Sequence, residues 1–305
     1  MKDKNAQIAL LVNMEDPCSV YDEVKFIIKM IYNEFNFNQI DKAFNDIVNL
    51  FNGKYPGYRT YNTKYHDLKH TTDSMLCFIR LIHGASLMDI HFTKEEITLS
   101  IIAALMHDTG YIQKKDDLEG TGAKYTLIHI QRSMDFMDKY FSGNSFDRNQ
   151  LKICNDMLNC TGLNTRIEKI NFSSPCTELL GKMLGTADLI GQMADRTYLE
   201  KLVYLYYEFK EGGVKGYKNE FDFFKKTIDF YRITKKRLKH DLGGVSKYLS
   251  FHFKERHNID CDLYEKTIQS NIEYLNHIIS DSDALNYREK LRRGGIIKSI
   301  EEENL

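Results

Sequence analysis

Proline is scarce in this chain: only Pro17, Pro56 and Pro175 occur in 305 residues, and each sits where the apolar pattern breaks. Long helices are therefore permitted nearly everywhere else, and an all-α fold is expected. Charge imbalance is absent too. A net charge of −1 and a pI near 6.8 remove any global electrostatic case for nucleic-acid binding or a polybasic membrane anchor. The cysteines (Cys18, Cys77, Cys154, Cys160, Cys176, Cys261) show no CxxC spacing. A chain this long needs no disulfide framework, so reduced cytosolic thiols are expected. The N-terminal apolar run, Ile8 to Val12, is too short for a signal-peptide core, and no window approaches the roughly 20 apolar residues of a membrane span. These absences lead to the expectation of a cytoplasmic protein with neither nucleic acid nor membrane as partner; a homodimer stays open.

What is present is helical amphipathicity on a composition that is 42% hydrophobic, enough for a sizeable core. Val24, Ile27, Ile28 and Ile31 share one face of a helix over Tyr21 to Phe35, and Phe44, Ile47, Val48 and Phe51 do so over Ile40 to Phe51. Both are expected to cap the core as residues 1–54. Gly53 to Gly57 is a turn cluster. A helix entered near Leu68 buries Thr72, Met75, Leu76, Ile79 and Ile82, and on a helix His66 and His70 would share one face. Polar Gln113 to Lys124 is a loop, followed by helices over Tyr125 to Phe141 and Leu151 to Cys160 and by a loop over Asn164 to Pro175. One long helix is expected from Glu178 to Phe209, broken by Gly212-Gly213, which closes a core of residues 55–213. Residues 214–305 read as at least three further helices packed on it, with an interruption at Gly243-Gly244 and a frayed charged tail from Asn286. Lys235-Lys236-Arg237-x-Lys239 reads as a solvated helix face, not a phosphate patch.

The centre of this pattern is Ile97 to Met106, apolar around nearly the whole helical circumference and so buried on every side. It runs without a spacer into His107-Asp108-Thr109-Gly110-Tyr111. Desolvating an imidazole and a carboxylate is costly unless something such as a metal ion compensates them, and both are good ligands for Zn, Fe or Mn. In chain order the candidate ligands are His66, His70, the His107-Asp108 pair and Asp188.

Three segments carry a resemblance: Tyr65-His66-x3-His70-Thr71, then Ala104-Leu-Met-His107-Asp108-Thr-Gly110, then Thr186-Ala-Asp188-Leu189. Together the chain resembles the HD-domain metal phosphohydrolases, and more narrowly the catalytic domain of cyclic-nucleotide phosphodiesterases. That group has an Ala-Asp-Leu followed about twenty residues on by Glu-Phe, and Glu208-Phe209 falls at that place. Met157-Leu-Asn-Cys-Thr161 is loosely similar to a segment that supplies a threonine beside the metals, although Thr161 also reads as a plain helix-end hydroxyl. The resemblance covers roughly Tyr55 to Gly213. Asp67 stands where the family has Asn, Gly162 where a carboxylate often follows the threonine, and no glutamine-and-phenylalanine purine clamp is found.

The resemblance implies an HD-type multi-helix bundle with two divalent ions (Zn, Mg, Mn or Fe). His70, His107, Asp108 and Asp188 would hold the first ion, and Asp108 would bridge to a second. A paired-ion centre activates water for attack on phosphorus and neutralises phosphoryl oxygens. By the same resemblance His66 is the general acid for the departing alkoxide. His129 reads either as a ligand of the second ion or as a packed core histidine; Glu119 is the other candidate, with loop solvation the plainer reading. The expected activity is hydrolysis of a small-molecule phosphoester, with a nucleotide or cyclic nucleotide as the substrate class. The rivals are an HD-type di-iron oxygenase, which needs more histidine on the second iron, and a regulatory module that binds ligand without turnover.

Overall fold

In the computed structural model, which describes residues 7–144, 146–281, 286–291 and 294–302, the architecture is all-helical. Its innermost element is α4 (Lys94–Met106), opened by a reciprocal capping box between Thr93 and Glu96. Every residue from Ile97 to Met106 is buried, so the helix has no solvent face to turn outward. The backbone stays helical through His107 and leaves the helix at Asp108, where a short 3-10 turn over Thr109–Tyr111 begins.

Around α4 lie α2 (Asn38–Phe51), α3 (Leu68–Ser86), α6 (Arg148–Asn159) and α7 (Pro175–Met193), and α1 (Pro17–Ile31) packs on α3. Pro17 and Pro175 each occupy a helix start just after a capping side chain, Asp16 and Ser174, where a missing N–H costs nothing. Helix α3 is buried from His70 to Ala85 because it is covered by α1, α7 and α10 (Tyr248–His257). At Gly84 any Cβ would stand 1.8 Å from the Tyr248 carbonyl oxygen, so the α3–α10 approach requires glycine.

The expected single helix from Glu178 to Phe209 is two helices, α7 and α8 (Tyr198–Glu211), separated at Ala194–Thr197. The cause is Asp195. Its Oδ1 accepts from the Thr197 backbone N–H and hydroxyl, and its Oδ2 faces Lys69 and Lys201 at 3.1 and 3.5 Å. Such local capture of the backbone competes with helix continuation. The turn sends α8 back along the core, which returns Glu208 to the segment before α3.

Likewise, the helix expected from Tyr125 starts only at His129, as α5 (His129–Ser142), after a 3-10 turn over Gly122–Tyr125. Beyond α9 (Glu220–Lys239) and α10 come α11 (Leu263–Asp281), α12 (Tyr287–Lys290) and α13 (Ile296–Glu302). The described part of the tail is anchored rather than frayed. Arg288 and Tyr287 bond the Glu220 carboxylate, the Ile296 N–H bonds Glu200 at 3.0 Å, and Ile297 and Ile300 are buried. No helix among the described residues is long and apolar enough to cross a membrane.

Candidate metal centre

The C-terminal end of α4 meets the first turn of α3 and the middle of α7. His70 Nε2 lies 3.0 Å from Asp108 Oδ2, 3.2 Å from Asp188 Oδ1 and 3.2 Å from His107 Nε2; His107 Nε2 lies 3.4 and 3.5 Å from the same two oxygens. Adjacent ligands around an ion with bonds of about 2.1 Å are separated by about 3.0 Å in an octahedron and about 3.4 Å in a tetrahedron. The observed spacings fall in this range.

The protons point the same way. His107 Nδ1 donates to the Ala104 carbonyl at 2.7 Å, which in the neutral ring leaves its Nε2 as a lone pair toward the centre; His70 Nδ1 faces the Ser74 hydroxyl at 3.4 Å. Asp108 Oδ2 is buried and faces both Nε2 atoms, at 3.0 and 3.4 Å. Two imidazoles and two carboxylates this close in a buried site call for a shared positive charge, a proton or a metal ion. Burial disfavours a charged His70, yet hydrogen bonds and charge from Asp108 and Asp188 outweigh it and raise its pKa to about 9. His107 is raised in the same way, against its own burial and chiefly through Asp108. Burial likewise pushes Asp108 and Asp188 upward, but the two imidazoles hold both below the usual carboxylate range. A divalent ion would answer all four groups at once, and the chain has a His/Asp cluster compatible with a metal site in His70, His107 and Asp108.

His129 joins from the other side of Asp108. Its Nδ1 donates to the Thr126 carbonyl at 2.6 Å, and its Nε2 lies 3.9 Å from Asp108 Oδ1, the oxygen not turned toward His70. Burial lowers its pKa, keeping the imidazole neutral. The approach depends on Gly110, where a Cβ would stand 1.9 Å from the His129 carbonyl oxygen. Ser133 locks it by accepting from the Gly110 N–H and donating to the His107 carbonyl.

His66 does not share a helix with His70. It precedes Asp67, whose carboxylate caps α3 by accepting from the His70 N–H at 2.7 Å and faces Lys201 at 3.2 Å. The His66 ring nevertheless stands 5.9 Å from the His70 ring and stacks on Tyr111 at 4.3 Å; the His129 ring also stacks on Tyr111, at 4.6 Å, and lies 6.5 Å from the His66 ring. Its Nδ1 is 2.6 Å from Glu208 Oε2, and Glu208 Oε1 accepts the Tyr65 N–H at 2.7 Å. The carboxylate fixes the ring and leaves Nε2 as the nitrogen able to exchange a proton.

A family model described as Npun_R2479-like matches residues 24–273, well over half of the chain. The chain belongs to the Npun_R2479-like family. No curated protein and no solved structure matches it. The matched span contains every residue of the centre from His66 to Glu208, while its description names no activity.

Of the residues singled out in the sequence, His66, His70, His107, Asp108, His129 and Asp188 are gathered at this one place. Glu119 is not among them. It is exposed on its loop, where its backbone carbonyl, rather than its carboxylate, accepts from Gln113 and Lys124. The Thr161 hydroxyl returns to the Leu158 carbonyl at 2.8 Å, a helix-end bond.

Three participants lie outside the motifs. Tyr111 follows the His-Asp pair, is buried, and stacks with both His66 and His129. Gln192, one turn beyond Asp188, brings its side-chain amide to 2.9 Å from His70 Nε2 and 3.1 Å from Asp188 Oδ1. Arg237, expected on a solvated face with its neighbouring lysines, is instead buried, while Lys235, Lys236 and Lys239 are exposed. Its guanidinium donates to the carbonyls of Cys160, Gly162 and Thr165, fixing the loop after α6. A long flexible side chain amid three lysines carries no periodic signal that would separate it from them.

Proposed function

We propose that the chain is a metal-dependent phosphohydrolase of the HD type, acting on a small-molecule phosphoester. The observation that carries this reading is the convergence of His70, His107, Asp108 and Asp188 beside a second, Glu208-held histidine, His66. Ordered segments resembling the HD phosphohydrolases support it.

In this reading His70, His107, Asp108 and Asp188 would hold one ion, and Asp108 with His129, whose Nε2 lies 3.9 Å from Asp108 Oδ1, would hold a second. Bound there, such ions lower the pKa of water towards neutrality and offset charge building on phosphoryl oxygens. The protein's own part is to keep the His107 imidazole in the Nδ1–H form, to bury the Asp108 carboxylate, and to supply a proton. His66 is the proton donor. With Nδ1–H committed to Glu208, the proton that reaches a departing alkoxide leaves from Nε2. Tyr111 restrains the plane of that ring by stacking on it. A nucleotide or cyclic nucleotide is the proposed substrate class, on the resemblance alone.

A second reading is kept because of His129. An additional neutral imidazole 3.9 Å from Asp108 Oδ1 also suits an HD-type di-iron oxygenase. The test is elemental analysis of protein purified without chelator, joined to chromatographic detection of products (nucleoside monophosphate from a cyclic nucleotide, nucleoside or shorter nucleotide and phosphate from a linear one) with Mn, Mg, Zn or Fe. Phosphoester hydrolysis supports the first reading. Bound iron with oxygen uptake and no hydrolysis supports the second.

A further inference from the structure

The terminal amide of Gln192 reaches into the centre, its Nε2 donating to Asp188 Oδ1 one turn back on α7 and meeting His70 Nε2. It sits on α7 one turn after Asp188, only partly buried, so it could extend into solvent at little cost. Instead one terminal atom lies 2.9 Å from His70 Nε2 and 3.1 Å from Asp188 Oδ1. Those are two of the atoms that face the centre. The separations also equal the spacing between neighbouring ligands around a six-coordinate ion with bonds of about 2.1 Å.

The two orientations of the amide have opposite consequences. With nitrogen inward, Gln192 donates to the lone pairs that an ion would use, and the two compete. With oxygen inward, reached by a half-turn about the last side-chain torsion, the same position presents an acceptor to the ion. Oxygen and nitrogen of an amide are assigned by their partners, and an ion is a partner that only oxygen can serve.

Resting on the reading of this centre as a metal site, we propose that Gln192 Oε1 is a fifth protein ligand to the first ion, beside His70 and Asp188. Two imidazoles, two carboxylates and a neutral amide oxygen exceed the four donors of a tetrahedral zinc site and leave one position of an octahedron for water or substrate. The donor set therefore selects a six-coordinate ion, Mn²⁺ or Fe²⁺, over Zn²⁺. A histidine–carboxylate cluster without the amide would not make that distinction.

The test is direct titration of Mn²⁺ and Zn²⁺ into chelator-treated full-length protein, by calorimetry and by the electron paramagnetic resonance of free Mn²⁺. Wild type, Gln192→Leu and Gln192→Glu are compared, with circular dichroism to confirm that each is folded. Gln192→Leu is expected to weaken Mn²⁺ binding on the order of 10- to 100-fold, the range seen for groups that orient or support a metal site, with a change of about threefold or less for Zn²⁺. Gln192→Glu keeps an oxygen donor and is expected to hold Mn²⁺ at least as tightly as wild type. Unchanged or tighter Mn²⁺ binding by Gln192→Leu, in a wild type that does bind, overturns the inference alone, because a merely competing amide would improve binding when removed. A wild type that takes up neither ion overturns both the inference and the metal reading beneath it.

Discussion

Glu208→Gln separates the proposed proton donor, His66, from the proposed metal ligands. In the structure one carboxylate oxygen takes the Tyr65 N–H at 2.7 Å and the other faces His66 Nδ1 at 2.6 Å. Glutamine preserves shape and can keep the Tyr65 bond through its oxygen, which leaves an NH₂ group against Nδ1. That group cannot accept the ring proton, so the imidazole is driven to turn or to change tautomer. A hydrogen bond to a charged group contributes about 1.5–3 kcal/mol. At 1.36 kcal/mol per tenfold in rate, its loss slows the step that uses the proton by about 10- to 150-fold. The assay compares two substrates on one preparation: a phosphodiester with an alkoxide leaving group and its nitrophenyl counterpart, whose leaving group needs little protonation. The variant should lose this factor on the first and little on the second, with metal content unchanged. His66→Ala sets the ceiling, on the order of 10²–10⁴-fold on the alkoxide substrate. Equal losses on both substrates, or loss of metal, would refute the assignment and make Glu208 and His66 structural or ligating groups.

Arg237→Met removes the donors to the Cys160, Gly162 and Thr165 carbonyls while keeping much of the side-chain volume, so unfolding in denaturant should shift by about 2–4 kcal/mol; a shift below about 0.5 kcal/mol would mean the loop is held by other contacts. Chelator-treated protein should lose thermal stability as pH rises. The His70 pKa is raised from 6.5 to about 9, so the stability it contributes is full below about 6.5 and is lost as pH climbs through about 9. Adding Mn²⁺ should reverse that slope, because the ion displaces the protons and its affinity grows with pH; parallel curves with and without metal, read by scanning fluorimetry over pH 6–10, would count against a metal centre.

The helical class was legible because so few prolines interrupt a 3.6-residue apolar pattern, and one end of the His/Asp cluster was legible because His107-Asp108 breaks a wholly apolar helix, while His70 and Asp188 were singled out by the resemblance. What was not legible depends on distant partners. Apolar residues at Met193, Leu199 and Leu202 continue the periodicity straight across the α7–α8 break, while the Asp195 contacts that cause it reach Lys69, 126 residues away. Gln192 is one unremarked amide in the sequence; only the fold sets it against His70, 122 residues off. The helix expected over Tyr125 to Phe141 begins late because Thr126 gives its carbonyl to the His129 ring, a bond periodicity cannot display. Asp67, a departure from the asparagine of the phosphodiesterases, finds its reason in capping α3 and facing Lys201.

Metal content of variants purified without chelator tests the central claim most directly. Asp108 turns one oxygen to His70 and His107 and the other to His129, so Asp108→Ala removes a ligand from both ions and should leave the protein essentially without metal. Asp188, whose Oδ1 faces His70 and His107, should on replacement by Ala weaken mainly the first ion. Elemental analysis of folded wild type, Asp108→Ala and Asp188→Ala should therefore show about two ions, almost none, and an intermediate amount. Wild-type metal content in both variants would contradict the account.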